Sequence, residues 1–133
     1  MIVAEMRDLA RGLSAEPRLS GLAAALASGV DALEQAIGYV VENYATDIRA
    51  VSVGAVPMLK LFGIVAGGWQ LLRSALISQQ RLAAAESISA DAGFYEAKIL
   101  TARFYADYVL SQSPGLAHGI MRGAAGALAE GAL

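Results

Sequence analysis

His118 is the only histidine in this chain of 133 residues, and its neighbours decide what chemistry it could do. As a general base, an imidazole needs an orienting acid and a nucleophile within hydrogen-bond reach. The run Pro114-Gly115-Leu116-Ala117-His118-Gly119 offers neither. A di-metal site in a helical bundle needs Glu-x-x-His on two helices. Here a single histidine follows Gly115 at that spacing, so the pattern fails, and His118 is read as a surface residue. Cysteine is absent, which removes disulfides, thiolate metal sites and cysteine nucleophiles.

The remaining polar groups carry little more. Glu5 with Asp8, and Asp31 with Glu34, are carboxylate pairs three apart, read as solvating charge on exposed helix faces. Arg103 and Asp107 lie four apart, the spacing of a helix-surface ion pair worth a few tenths of a kcal/mol. A polar contact with a neighbouring domain is the alternative for Arg103. Lys60, Arg73, Lys98 and Arg103 could meet phosphates, but four scattered cations make a weak site. Lys60 and Arg73 are better read as heads reaching water past apolar stems.

Gly63 to Gly68 reads Gly-x-x-x-Gly-Gly, then Trp69-Gln70. A phosphate-binding Walker loop would continue with Lys-Ser or Lys-Thr, and a dinucleotide fingerprint would follow a strand. Neither condition holds. Gly63, Gly67 and Gly68 are therefore expected at a close helix packing or an interface, with Trp69 as a core or interface anchor. Phe94, Tyr95, Phe104, Tyr105 and Tyr108 are expected to broaden a core face.

These residues must be carried by helices, because no stretch alternates polar and apolar as a strand would. Ile2, Met6, Leu9 and Leu13 suggest a short lead-in helix over 1–13, with Gly12 near its C-cap. Leu26, Val30, Leu33, Ile37, Val40 and Tyr44 form a stripe near a 3.5 period within a helix over 19–44. Thr46 or Asp47 can cap a long helix over 48–85, in which Pro57 forces a kink or a start near Ala55. Val65, Trp69, Leu72 and Leu76 make its apolar stripe. Glu86 to Ala90 is a break. Ser89 or Asp91 then caps a helix over 92–112 whose inner stripe is Ile99, Ala102, Ala106 and Val109. Ser113-Pro114 signals the start of a last helix over 114–129, with Gly119, Gly123 and Ala127 on one line. The expectation is one all-α domain over 1–133: an up-down antiparallel four-helix bundle with a short extra N-terminal helix.

Composition sets the outer limits. The chain is 56% hydrophobic and 17% charged, with net charge −2, and its 10 basic residues form no stripe. Nucleic-acid binding is therefore not expected. Glu5 and Asp8 interrupt the apolar N-terminal run, which does not read as a signal peptide. The stretch between Arg49 and Arg73 is long enough to span a bilayer. Lys60 near its middle would cost about 2.5–3.5 kcal/mol there, so a buried helix is expected, with no membrane span. A cytoplasmic location is expected.

Two runs carry a family likeness. Ala55-Val56-Pro57-Met58-Leu59-Lys60-Leu61-Phe62-Gly63 with Val65-Ala66-Gly67-Gly68-Trp69 is the first. Phe94-Tyr95-Glu96-Ala97-Lys98-Ile99, then Thr101 to Ala106 and Val109-Leu110, is the second. Together they resemble the extra C-terminal helical domain of one branch of the acyl-CoA dehydrogenases, and the likeness extends more weakly over nearly the whole chain. It implies a parent whose preceding dehydrogenase body holds FAD and the catalytic glutamate and oxidises an acyl-CoA thioester between its α and β carbons. Met1 stands where such a parent would continue. No position here matches a catalytic or flavin-contacting residue, so the chain itself is expected to hold no cofactor, no metal and no catalytic residue. Its implied partners are the dehydrogenase body of the same chain or a neighbouring subunit. A free-standing module that self-associates through the Gly63, Gly67 and Trp69 face is the alternative, and acyl-chain or CoA binding in a bundle pocket is a third.

Overall fold

The computed structural model describes residues 2–84 and 91–129, all in helices or the turns that join them. The helices are α1 (Ile2–Ser14), α2 (Ser20–Asn43), α3 (Ile48–Val53), α4 (Ala55–Ala84), α5 (Ala92–Tyr108) and α6 (Ser113–Ala127). Single 3₁₀ turns at Pro17–Leu19 and Leu110–Gln112 lead into α2 and α6. The break expected at Glu86 to Ala90, the cap expected at Ser89 and the end of the long helix at Ala85 lie outside the described residues.

α1 buries Met6, Leu9 and Leu13, one face at spacings of three and four, against α2. It runs through Gly12 rather than ending there. A Cβ at Gly12 would stand 3.1 Å from Leu76 Cδ2, so this glycine accommodates a side chain of α4 instead of capping a helix. Pro17 opens the following 3₁₀ turn, where its missing N–H is no loss.

α2 lies among the other helices and packs on α1, α4, α5 and α6. The early part of its stripe, Leu26, Val30 and Leu33, has no solvent exposure. Ile37 and Val40 are only partly covered and Tyr44 is exposed, so the stripe leaves the core beyond Ala36. Asp47 caps α3, its carboxylate accepting from the Ala50 N–H at 3.2 Å.

The helix expected over 48–85 is two helices, broken at Gly54. This residue is buried, and a Cβ on it would meet Ile120 of α6 at 3.4 Å from Cγ2 and 3.5 Å from the carbonyl oxygen. Pro57 has no N–H to donate to the Val53 carbonyl four residues back, so the helical ladder is interrupted there. α4 then begins at Ala55, with Pro57 in the first turn where backbone donors have no intrahelical partner. One face of α4 is buried through Leu61, Ile64, Val65, Gly68, Leu72 and Ala75. The expectation of a buried helix holds for that face alone: 28% of its most apolar stretch is buried, and Val56 and Leu59 are 79% and 75% exposed. By length and composition only, α4 is long and apolar enough to cross a membrane.

α5 buries Ile99, Ala102 and Ala106 against α4 and α2. Of the rings expected to broaden this core face, Tyr105 packs against the core, whereas Phe94, Phe104 and Tyr108 are exposed. α6 buries Ser113, Ala117, Ile120 and Ala124, and its glycine line at Gly119 and Gly123 faces outward with no atom within 4 Å of a Cβ. Ser113 does not cap α6. It is the first helical residue, fully buried, and its hydroxyl donates back to the Leu110 carbonyl at 2.7 Å.

A single core runs from Met6 in α1 to Ile120 in α6. Leu33→Ala at its centre is expected to destabilise the fold by about 2–5 kcal/mol. Leu59→Ala on the exposed side of α4 should stay within about 0.5 kcal/mol. Chemical denaturation of both variants checks the pair.

Candidate functional site

The residues singled out in the Gly63–Trp69 run sit at the seam between α4 and α5, where two adjacent glycines open a socket. The Tyr105 ring of α5 enters it: a Cβ on Gly67 would stand 2.9 Å from the Tyr105 hydroxyl oxygen, and one on Gly68 3.3 Å from Cε1. The Tyr105 hydroxyl donates to the Ile64 carbonyl at 2.6 Å. Burial holds the Tyr105 phenol above the ordinary tyrosine value, because the seam disfavours the phenolate.

Leu110 fills the other half of the socket. Its Cδ1 stands 3.1 Å from a Cβ position on Gly68 and 2.9 Å from one on Gly29 of α2. One leucine is thus wedged between two helices at the points where both lack side chains. The neighbours of Gly67 and Gly68 are side chains, not the neighbouring backbone that the glycine pattern suggested. Gly63 differs from both: it is exposed, with open space around its missing Cβ. Trp69 is half-buried and packs on the core.

Arg103 is exposed and forms no ion pair with Asp107 among the described residues, because the two side chains do not come within 4.0 Å. Both border an open groove of about 540 Å³ between the start of α2 and α5, floored by Leu19, Leu22 and Ile99. At its other end Arg18 donates both terminal nitrogens to the Glu96 carboxylate, Nη1 at 3.0 Å. This two-pronged contact raises the Arg18 guanidinium and lowers the Glu96 carboxyl from their ordinary values. Lys98 Nζ lies 5.2 Å from the centre of the Phe94 ring, while Lys60 and Arg73 are exposed.

Two carboxylates read as solvating charge have a structural partner. Arg7 of α1 donates to Asp31 at 2.9 Å and Glu34 at 3.1 Å on α2, and these bonds raise its guanidinium. Asp8 likewise accepts from Arg11. His118 is exposed on α6. Among the described residues, no three His, Asp or Glu side chains gather as a metal centre would require.

Tyr105, Leu110 and Gly29 were not singled out for these positions by sequence reasoning. The available signal was the double glycine itself, since two missing side chains in a long helix call for bulky residues opposite.

The geometry is that of a packing seam with an exposed aromatic face, and relatives place it in a family. A family model described as acetyl-CoA dehydrogenase C-terminal like matches residues 2–129. The chain belongs to that family. It is also 38% identical over 114 residues to the 3-methylmercaptopropionyl-CoA dehydrogenase of Ruegeria pomeroyi. That alignment covers 83% of this chain and 18% of the relative. The family is the one that the two sequence runs resemble, and this acetyl-CoA dehydrogenase C-terminal-like chain spans under a fifth of the relative's length.

The socket makes a thermodynamic cycle. Gly63→Ala is expected to stabilise by about 0.5–1 kcal/mol, through helix propensity in open space. Gly67→Ala should destabilise by about 1–2 kcal/mol by displacing the Tyr105 hydroxyl. In a Tyr105→Phe background the oxygen is gone, and Gly67→Ala should become neutral or stabilising. Urea denaturation of the four proteins reads each step.

A pH dependence follows from the same ring. Above the ordinary tyrosine value the unfolded chain releases this proton while the folded chain retains it. The stability carried by Tyr105 is therefore complete below that value and is lost as pH rises towards the raised folded value. Tyr105→Phe should flatten this alkaline decline in a thermal-melt series.

Proposed function

We propose that this chain is the non-catalytic C-terminal accessory domain of an FAD-dependent acyl-CoA dehydrogenase. In this reading the parent dehydrogenates an acyl-CoA thioester between its α and β carbons, and FAD and the catalytic base belong to the dehydrogenase body. The domain serves packing, either on that body or on a neighbouring subunit, and shapes access to the acyl-CoA site. The observation that carries the proposal is the family match over residues 2–129, in a chain that aligns with only 18% of a named acyl-CoA dehydrogenase. The location of the described polar groups agrees with it: they join helices or face water rather than converging on a reaction centre.

The same reading has the main helices running up and down as an antiparallel bundle with α1 added at its edge, supported by the short connections between α1, α2 and α3. It places the domain in the cytoplasm, with no membrane span and no nucleic-acid partner. The second reading is an interaction module without enzymatic activity, favoured by the exposed aromatic residues of α5.

The purified chain is expected to be colourless and to leave acyl-CoA thioesters unreacted in the presence of an artificial electron acceptor. Co-purifying flavin seen in its visible absorbance, or turnover of a thioester by the chain alone, would overturn the accessory role.

A further inference from the structure

We infer that the outer face of α5 is a self-association surface, on which a second copy of this chain docks with its own α5 antiparallel to the first. Phe94, Ala97, Thr101, Phe104 and Tyr108 recur at spacings of three and four, and all five are exposed. The opposite side of the helix, at Ile99, Ala102 and Ala106, is buried against α4 and α2. α5 is therefore apolar on both sides, and a single copy of the chain covers only one of them.

The size of the face fits a protein partner. A large aromatic side chain presents about 150–250 Å². Phe94, Phe104 and Tyr108 are 59%, 61% and 67% exposed, and Leu100 on the same side is 69% exposed. Together they offer on the order of 500 Å² of apolar surface, within the range of patches that are often functional on a monomer. Two such faces in contact remove about 1,000 Å², the lower edge for a specific interface. That area corresponds to a weak dimer.

The order of side-chain sizes selects a second copy over other partners. With a two-fold axis between positions 102 and 103, Ala97 lies opposite the partner's Tyr108, and Thr101 opposite the partner's Phe104. Each ring meets a small residue, and symmetry repeats both pairings. The Phe104 and Tyr108 rings, 4.8 Å apart, form the raised half of the face, and Ala97 with Thr101 forms the recessed half. At 100° per residue Glu96 and Arg103 turn away from this contact. Asp107, seven residues from Leu100, and Lys98, with Nζ 5.2 Å from the Phe94 ring centre, stand at its two edges, where both residues are exposed.

Sedimentation velocity of the 133-residue chain from about 1 to about 100 μM tests this, the range suited to an interface of this area. A monomer–dimer transition is expected within it. Ala97→Tyr and Tyr108→Ala should each weaken the dimer about tenfold or more, by ring-on-ring collision and by an unfilled gap. The double variant exchanges ring and gap and should restore it. Phe104→Lys, also on the exposed side, should leave the chain monomeric, with helical circular dichroism confirming that each variant folds. A chain that stays monomeric throughout, a dimer unmoved by these substitutions, or a double variant no better than the singles overturns the proposal. These outcomes are separate from the flavin test, so either reading can fail alone.

Discussion

The seating of Leu110 between Gly29 and Gly68 sets the distance between α2 and α4 and, through the same leucine, fixes where α5 ends and α6 begins. Both glycines sit inside long helices, where each costs about 1 kcal/mol relative to alanine. Full burial of a leucine recovers about 1.5–3 kcal/mol, so the exchange is favourable only while the leucine fits. A methyl on either glycine would meet it at 3.1 Å or less. The Ser113 hydroxyl, donating to the Leu110 carbonyl, satisfies a backbone acceptor at the same buried corner. Side-chain shape and backbone hydrogen bonding converge on one turn of the chain.

Around that centre the polar groups act as ties between elements. Arg7 joins α1 to α2, and Arg18 joins the first 3₁₀ turn to α5. Both pairs lie at the surface, where net contributions are small and screened by salt. They orient helices that burial already holds together. Among the described residues the ionisable side chains stand at the rim, and the buried polar residues are Ser78 and Ser113.

The helical class was legible because periodicity depends on each helix alone. Leu26, Val30 and Leu33, the cap at Asp47 and the start at Ala55 all rest on local spacing and backbone chemistry. What could not be read depends on neighbours. Gly12 lacks a side chain where Leu76 of α4 needs room, and Gly29 where Leu110 does. Gly63, Gly67 and Gly68 look alike in sequence, yet only the last two face the bulky side chains of α5 and the turn after it. Of the α5 rings assigned inward, Tyr105 does pack on the core, while Phe94, Phe104 and Tyr108 face outward because Ile99, Ala102 and Ala106 occupy the inner side. Family kinship was legible because it rests on two runs whose order and separation are independent of folding.

Trp69 is the chain's single tryptophan, and it stands half-buried beside Gly68 on α4. Its indole therefore samples an intermediate polarity without labelling. Any event that parts α4 from its neighbours would hydrate it, and red-shifted fluorescence would register that event from within the native polypeptide.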